Sequence, residues 1–312
     1  MVYNFSMANK RTVSQNYVKK QFSIVGIALM IYALIVVFIP IGAKICVSDG
    51  LFPRMDNPKF SFIISFIGLI IGTVFPFMVV RRVFGTELKE FTKKTEIDLS
   101  DYLINFVVYF GFVAAALYVN TIVTKLLGVE GVMFSDVGIV FNEILVDSPI
   151  YLFTFIFLSP LLEEYAFRGV LLNSLSKYGR YFALMMTSII YTLAHASIGE
   201  MIPSFVMGYL LAKMTLTYKS IRPSLFTHIM GNALLCTLAL VPEKYSIFSL
   251  VFIAILLISA IILVFSKKYN IISIGSSDSS KRAIKFFLSN IFVIIALLLF
   301  IVHTILITLL KF

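Results

Sequence analysis

The chain has 312 residues, 60% of them hydrophobic and 13% charged, with a mean hydropathy of +0.98. Soluble domains carry about 25% charged residues, so this composition excludes a pair of soluble globular domains and points to an all-α, polytopic transmembrane bundle. The net charge of +10 does not mark a nucleic-acid binder, because the basic residues fall in loops between apolar runs. The two cysteines, Cys46 and Cys236, have no CxxC or zinc-knuckle spacing and make no disulfide framework.

A helix needs about 20 apolar residues to cross the hydrocarbon core, and only helices suit such runs in lipid. Nine spans are predicted, at about 22–46, 60–80, 102–126, 149–174, 181–197, 201–218, 223–241, 246–266 and 286–309. The first is too long for a signal-peptide core and lacks a small-x-small cleavage site, so it reads as a retained span. Gly68 and Gly72 form a GxxxG in the second, a helix-packing pattern. The stretch 128–148 is long enough to hold a surface helix, and 269–285 (YNIISIGSSDSSKRAIK) reads as a flexible cytosolic loop. Basic residues cluster at one set of span ends: Lys10, Arg11, Lys19 and Lys20, then Arg81 to Lys94, Lys177 and Arg180, Lys219 and Arg222, and Lys267 to Lys285. The opposite ends carry only Lys44, Arg54, Lys59, Lys125, Lys244 and Lys311. The positive-inside rule then puts the N-terminus in the cytosol and the C-terminus outside.

The fourth span contains LSPLLEEYAFRGVLL, residues 158–172, which places Glu163, Glu164 and Arg168 in an apolar run. Three such charges facing lipid would cost on the order of 8 kcal/mol, so they must face the bundle interior or water. Ser148 can cap this helix and Pro149 suits its first position. Pro160 lies inside it, which kinks the helix and releases the carbonyl of Ile156 for another partner. Glu164 and Arg168 are spaced i,i+4 with the acid first, the favourable order for a structural ion pair. Glu163 is rotated by about 100° from Glu164 and lacks an intrahelical partner, which makes it the freer carboxylate.

Only three histidines occur. His195 lies in YTLAHAS on the fifth span, and His228 lies in FTHIMGN on the seventh with Asn232 at i+4 on the same face. His303 stands alone in the ninth and is expected to be packed. At 1.5 Å rise per residue, Glu163 is about 15 Å from the cytosolic end of its span, His195 about 22 Å, His228 about 9 Å and Asn232 about 15 Å. The four are expected to converge near the bilayer middle.

EExxxR (Glu163, Glu164, Arg168) followed by Gly169, then Tyr191 and His195 as aromatic-xxx-His, then HxxxN (His228, Asn232), occur in that order on helices of a membrane protein. This ordered set resembles the CPBP family, the CAAX proteases and bacteriocin-processing enzymes, also called Abi, over roughly residues 145–245. Tyr191 departs from the family pattern, which usually has Phe, and is expected to support His195 by packing. The resemblance implies a catalytic core at 145–245; hydropathy alone gives a three-span region at 1–144 and a two-span region at 246–312. It also implies a glutamate intramembrane protease acting on membrane-associated peptides or proteins, and a bacterial chain of this kind is expected at the plasma membrane.

The residues fit that chemistry independently. Peptide hydrolysis needs an activated water, a proton carrier and donors for the oxyanion. Glu163 suits the general base, with His195 polarising the water. His228 and Asn232 can donate to the oxyanion, about 3–4 kcal/mol for a good donor. Glu163, His195 and His228 could instead be three Zn2+ ligands with an open position; metal-free catalysis is the favoured expectation. Two other classes stay open: a secondary transporter or proton relay, and a non-catalytic scaffold or bacteriocin self-immunity protein of the same fold. The single broken helix lacks the symmetry-related partner that transporters often show.

Overall fold

The computed structural model describes residues 15–38, 58–87, 97–129, 149–195, 197–271 and 275–310. All regular structure among the described residues is helical. The helices are α1 (Gln15–Tyr32, continued by a π-helical Ala33–Phe38), α2 (Pro58–Phe84), α3 (Leu99–Leu126), α4 (149–176), α5 (Arg180–His195), α6 (Met201–Tyr218), α7 (Arg222–Ala239), α8 (Ser246–Phe265), α9 (Asp278–Leu288) and α10 (Ile291–Leu310). The surface helix expected in 128–148 lies outside the described residues from position 130 onward, as do Cys46 and the capping position Ser148.

Apolar character alone separates these helices into two groups. α1, α2, α3 and α8 are long and apolar enough to cross a membrane, and α9 with α10 makes a fifth candidate. α8 is the extreme case, with mean hydropathy 3.2 and only 11% of its window buried; Ile247, Phe248, Val251, Ile255, Ile258 and Ile262 all point outward. A helix apolar all round and exposed on most faces has lipid as its natural solvent. α5 is shorter, and α4 carries the charges, so these helices are supported by neighbours as well as by lipid. The chain is a helical membrane protein.

The bundle packs in two bodies of side chains. Phe22, Leu29 and Tyr32 of α1, Phe77 of α2, Phe167 and Leu171 of α4, Phe182 and Tyr191 of α5, and Phe287 and Phe300 of α9 and α10 form one continuous core. Tyr109, Phe110 and Ala114 of α3, Leu210, Leu211 and Met214 of α6 and Ile253 and Ala260 of α8 form the other. α5 and α6 pack on one another and join the two.

One end of the bundle gathers the basic turns. Lys177 donates to the carbonyl of Phe84, Tyr178 donates to Gln21, Arg180 donates to the carbonyl of Leu216 at 2.7 Å, and Asn290 reaches the carbonyl of Lys19 at 3.2 Å. α1 runs from Gln15, earlier than residue 22, and its first turns carry buried Val18 and Gln21, the latter accepting from Tyr178.

The flexible loop expected at 269–285 is corrected in its second half. Ser277 caps α9 by accepting from the backbone N–H of Ser280 at 3.2 Å. Ala283 and Phe287 face the core while Lys281, Arg282 and Lys285 face outward. This amphipathic helix meets α10 at 74°, so the last apolar helix starts at Ile291 rather than 286. Polar composition hid a helix whose buried positions, Ser280, Ala283 and Phe287, follow the three-four spacing of one helix face.

Close helix contact rests on glycine at several points, among them Gly72 and Gly26. A Cβ on Gly72 would meet the side chains of Val36 and Ile35 at 2.6 and 3.0 Å, in line with the packing expected of GxxxG. A Cβ on Gly26 would meet backbone of α10, the Val293 nitrogen at 2.5 Å and the Phe292 carbonyl carbon at 2.6 Å. Backbone cannot rotate away. Gly26→Ala is therefore expected to separate α1 from α10 and to cost about 1–3 kcal/mol, and Gly72→Ala less. Heating the detergent-solubilised variants and measuring the fraction that remains monodisperse checks the order.

Candidate active site

α4 is built of alternating segments: α-helix at Pro149–Phe153, π-helix at Thr154–Leu158, α-helix at Ser159–Glu163, π-helix at Glu164–Leu172 and α-helix at Asn173–Ser176. π segments inside helices often mark functional sites. Here the first precedes Pro160. The N–H of Ser159 donates to the carbonyl of Thr154, five residues back. In the same register the partner that Pro160 cannot engage is Phe155, not Ile156 as an α-helical count suggests. The side chain of Asn232 on α7 donates to that Phe155 carbonyl at 2.9 Å. The helix break is thus answered by an interhelical hydrogen bond.

Glu163 does have an intrahelical partner, contrary to the expectation from its rotation. Ser159, one turn earlier, donates its hydroxyl to Glu163 Oε1 at 2.7 Å. The Tyr191 hydroxyl donates to Oε2 at 2.7 Å. Sequence spacing named Glu164 as the acid with a neighbour because it searched only for an oppositely charged one. The Glu163 side chain keeps 17% exposure, which leaves it open to the cavity.

Glu164 and Arg168 are both wholly buried and meet at 2.9 Å between Oε1 and a guanidinium nitrogen. A third group joins them: the Nδ1–H of His228 donates to the same Oε1 at 3.0 Å. The carboxylate can only accept, so this contact fixes the imidazole with Nε2 pointing away from Glu164. Nε2 lies 3.9 Å from Glu163 Oε2. Arg168 also stacks 4.2 Å from the centre of the Tyr191 ring, an added attraction for a desolvated cation.

His195 stands at the last position of α5. Its Nδ1 lies 2.9 Å from the backbone carbonyl of Tyr191. A carbonyl only accepts, so Nδ1 carries the proton, and Nε2 is left for another partner. Its ring sits 4.4 Å from that of Tyr191. Tyr191 therefore does more than the packing expected of an aromatic at that place.

Glu163, His195, His228 and Asn232 all line one cavity of about 230 Å³. His303 does not; it packs beside Phe38. The remaining wall is largely apolar, and much of it comes from Tyr109, Phe110, Val113 and Leu117 on α3. Sequence reasoning left α3, Ser159 and Glu200 out of the site. α3 gives no motif to find, only apolar residues, but Asn120 was a legible signal: an amide in an apolar run. It is buried and bridges the turn between α5 and α6, donating to Gly199 at 2.6 Å and accepting from the N–H of Ile202 at 3.1 Å. That clamp fixes the segment just after His195.

Among the described residues, no three His, Cys, Asp or Glu side chains are placed to hold a metal ion together. Glu163, His195 and His228 share a cavity wall without forming a Zn2+ ligand set in this arrangement. His228 Nδ1 is engaged by Glu164, and both Glu163 oxygens accept from hydroxyls.

Residues 145–234 match the family model described as Rce1-like, the type II CAAX prenyl endopeptidase Rce1-like family. The matched segment includes Glu163, Glu164, Arg168, Tyr191, His195, His228 and Asn232, and the match agrees with the CAAX-protease resemblance of their motifs. No curated protein and no solved structure matches the chain.

Removing one partner of a buried ion pair leaves an uncompensated charge, a loss of about 3–5 kcal/mol. Arg168→Met should therefore lower the thermal midpoint sharply. Arg168→Lys should recover only part of it, because an ammonium keeps the charge but not the planar stack on Tyr191. Thermal unfolding of the two variants in one detergent checks both.

Proposed function

We propose that this protein is an intramembrane endopeptidase that hydrolyses peptide bonds of membrane-associated peptides or proteins. The observation that carries the proposal is the convergence of Glu163, His195, His228 and Asn232 on one cavity with largely apolar walls. The family match supports the reaction class.

Glu163 is the general base, and its exposed part reaches the cavity. A water held between Glu163 and His195 Nε2 gives its proton to Glu163 and attacks the scissile carbonyl carbon. His195 accepts from that water and aligns it, since its own proton is committed to the Tyr191 carbonyl. The carbonyl oxygen becomes an oxyanion. His228 Nε2 and the second N–H of Asn232 donate to it, from a part of the site with little water. Donation from Nε2 requires the imidazolium form of His228. In that form the two carboxylates, the guanidinium and the imidazolium sum to zero charge. Collapse of the tetrahedral intermediate breaks the C–N bond as the proton on Glu163 passes to the departing amine.

The chain crosses the cell membrane nine times, by α1 to α8 and α10, with the N-terminus in the cytosol. The gathering of basic turns at one end supports this orientation. Residues 145–245 form the catalytic core, with α3 of the 1–144 region closing its cavity and 246–312 packing around it.

Glu163→Gln keeps the size of the side chain and removes the base. Cells expressing each form, compared by mass spectrometry of their membrane peptides, should show cleavage products that vanish in Glu163→Gln at equal expression. Cleavage that persists in the variant contradicts the proposal. A full cellular phenotype in Glu163→Gln, with no product from either form, favours the non-catalytic scaffold. Purified protein should keep cleaving after exhaustive chelation; loss of activity restored by Zn2+ would replace the water-activation step with a metal-bound one.

A further inference from the structure

Tyr191 touches two of the four groups given a chemical role, Glu163 and His195, and Arg168 beside them. Its hydroxyl donates to Glu163 Oε2 at 2.7 Å. Its backbone carbonyl accepts from His195 Nδ1 at 2.9 Å. Its ring lies 4.2 Å from the guanidinium carbon of Arg168 and meets Phe167 edge-on at 5.1 Å. The residue is wholly buried, so its orientation is set by packing and not by the hydrogen bond itself. A phenol held this way is a rigid donor.

What the donor prevents follows from the charges around it. Glu163 Oε2 has a second suitor, His228 Nε2, at 3.9 Å. A small rotation of the carboxylate would close that gap to a contact ion pair. Such a pair would occupy both the base and the oxyanion donor at once. The Tyr191 hydroxyl on Oε2 and the Ser159 hydroxyl on Oε1 hold the carboxylate short of that collapse. Each donor takes one lone pair of its oxygen and leaves another for water.

We infer that Tyr191 is a positioning residue that keeps Glu163 apart from His228 and aligned with His195, so that one water can bridge the carboxylate and the imidazole. The inference rests on the assignment of Glu163 as the base. It adds a residue whose hydroxyl acts through the Glu163 carboxylate and itself transfers no proton in the reaction.

Tyr191→Phe tests it, because the ring and its contacts with Arg168 and Phe167 stay. A misplacement of about 1 Å can cost roughly 100-fold in rate, so kcat is expected to fall by about 10- to 100-fold with KM nearly unchanged. Ser159→Ala alone should have a smaller effect. Together the two changes free both oxygens, so the double variant should lose more than the product of the single losses. Wild-type kcat in Tyr191→Phe, alongside an inactive Glu163→Gln, overturns the inference and leaves the base assignment standing. An active Glu163→Gln overturns the base assignment instead.

A second measurement works even where Tyr191→Phe does not fold. The infrared difference spectrum between the wild-type protein and Glu163→Ala, with and without ring-labelled tyrosine, isolates the C–O stretch of a phenol that donates to Glu163. One tyrosine band is expected to shift. A difference spectrum without any tyrosine band overturns the inference.

Discussion

The site depends on one buried charge. Glu164 has no exposure to solvent, and it is paired with Arg168 on its own helix and accepts from His228 on α7. Burying a carboxylate costs several kcal/mol, and the attraction of a single partner often only repays this. The value of such a group lies in direction more than in net stability. An acceptor shared by a guanidinium and an imidazole allows few geometries. It ties α4 to α7 and leaves one imidazole nitrogen facing Glu163. The adjacent acid, Glu163, takes no part in that cluster and accepts instead from Ser159 and Tyr191.

The second constraint is backbone satisfaction without water. An unpaired carbonyl inside a bilayer costs several kcal/mol, and α4 creates one deliberately at Pro160. In the π register before the proline the carbonyl facing Pro160 is that of Phe155, and the amide of Asn232 donates to it. This uses one of the two N–H groups of Asn232 and fixes the direction of the other. A proline on α4 and an amide on α7 thus act together to aim a donor. Asn120 likewise satisfies backbone groups of the turn that leads into α6, donating to Gly199 and accepting from Ile202.

Much of the fold was legible because hydropathy is a direct consequence of the solvent. Each predicted apolar run contains or overlaps a helix, and the polar motifs fell on α4, α5 and α7. What hydropathy hid was whatever does not follow a sum over a window. α9 is polar on average but amphipathic by period, so it read as a loop. The π segments change the register of hydrogen bonds without changing composition, which displaced the freed carbonyl from Ile156 to Phe155. The hydroxyls on Glu163 come from Ser159 and Tyr191; a search for charged partners passes over both. The α3 wall could not be found at all, since Tyr109, Phe110 and Val113 look like any lipid-facing run until their neighbours are known.

The shared acceptor can be examined in the protein itself by 15N NMR of the three histidine side chains. The signals are assigned by replacing His195, His228 and His303 in turn. His228 is expected to carry a proton on Nδ1 in a strong hydrogen bond to a carboxylate, and that resonance should move in Glu164→Gln while the His303 signals stay in place. A His228 whose Nδ1 bears no proton, or whose resonances ignore the loss of the Glu164 charge, would contradict the geometry from which the catalytic arrangement is built.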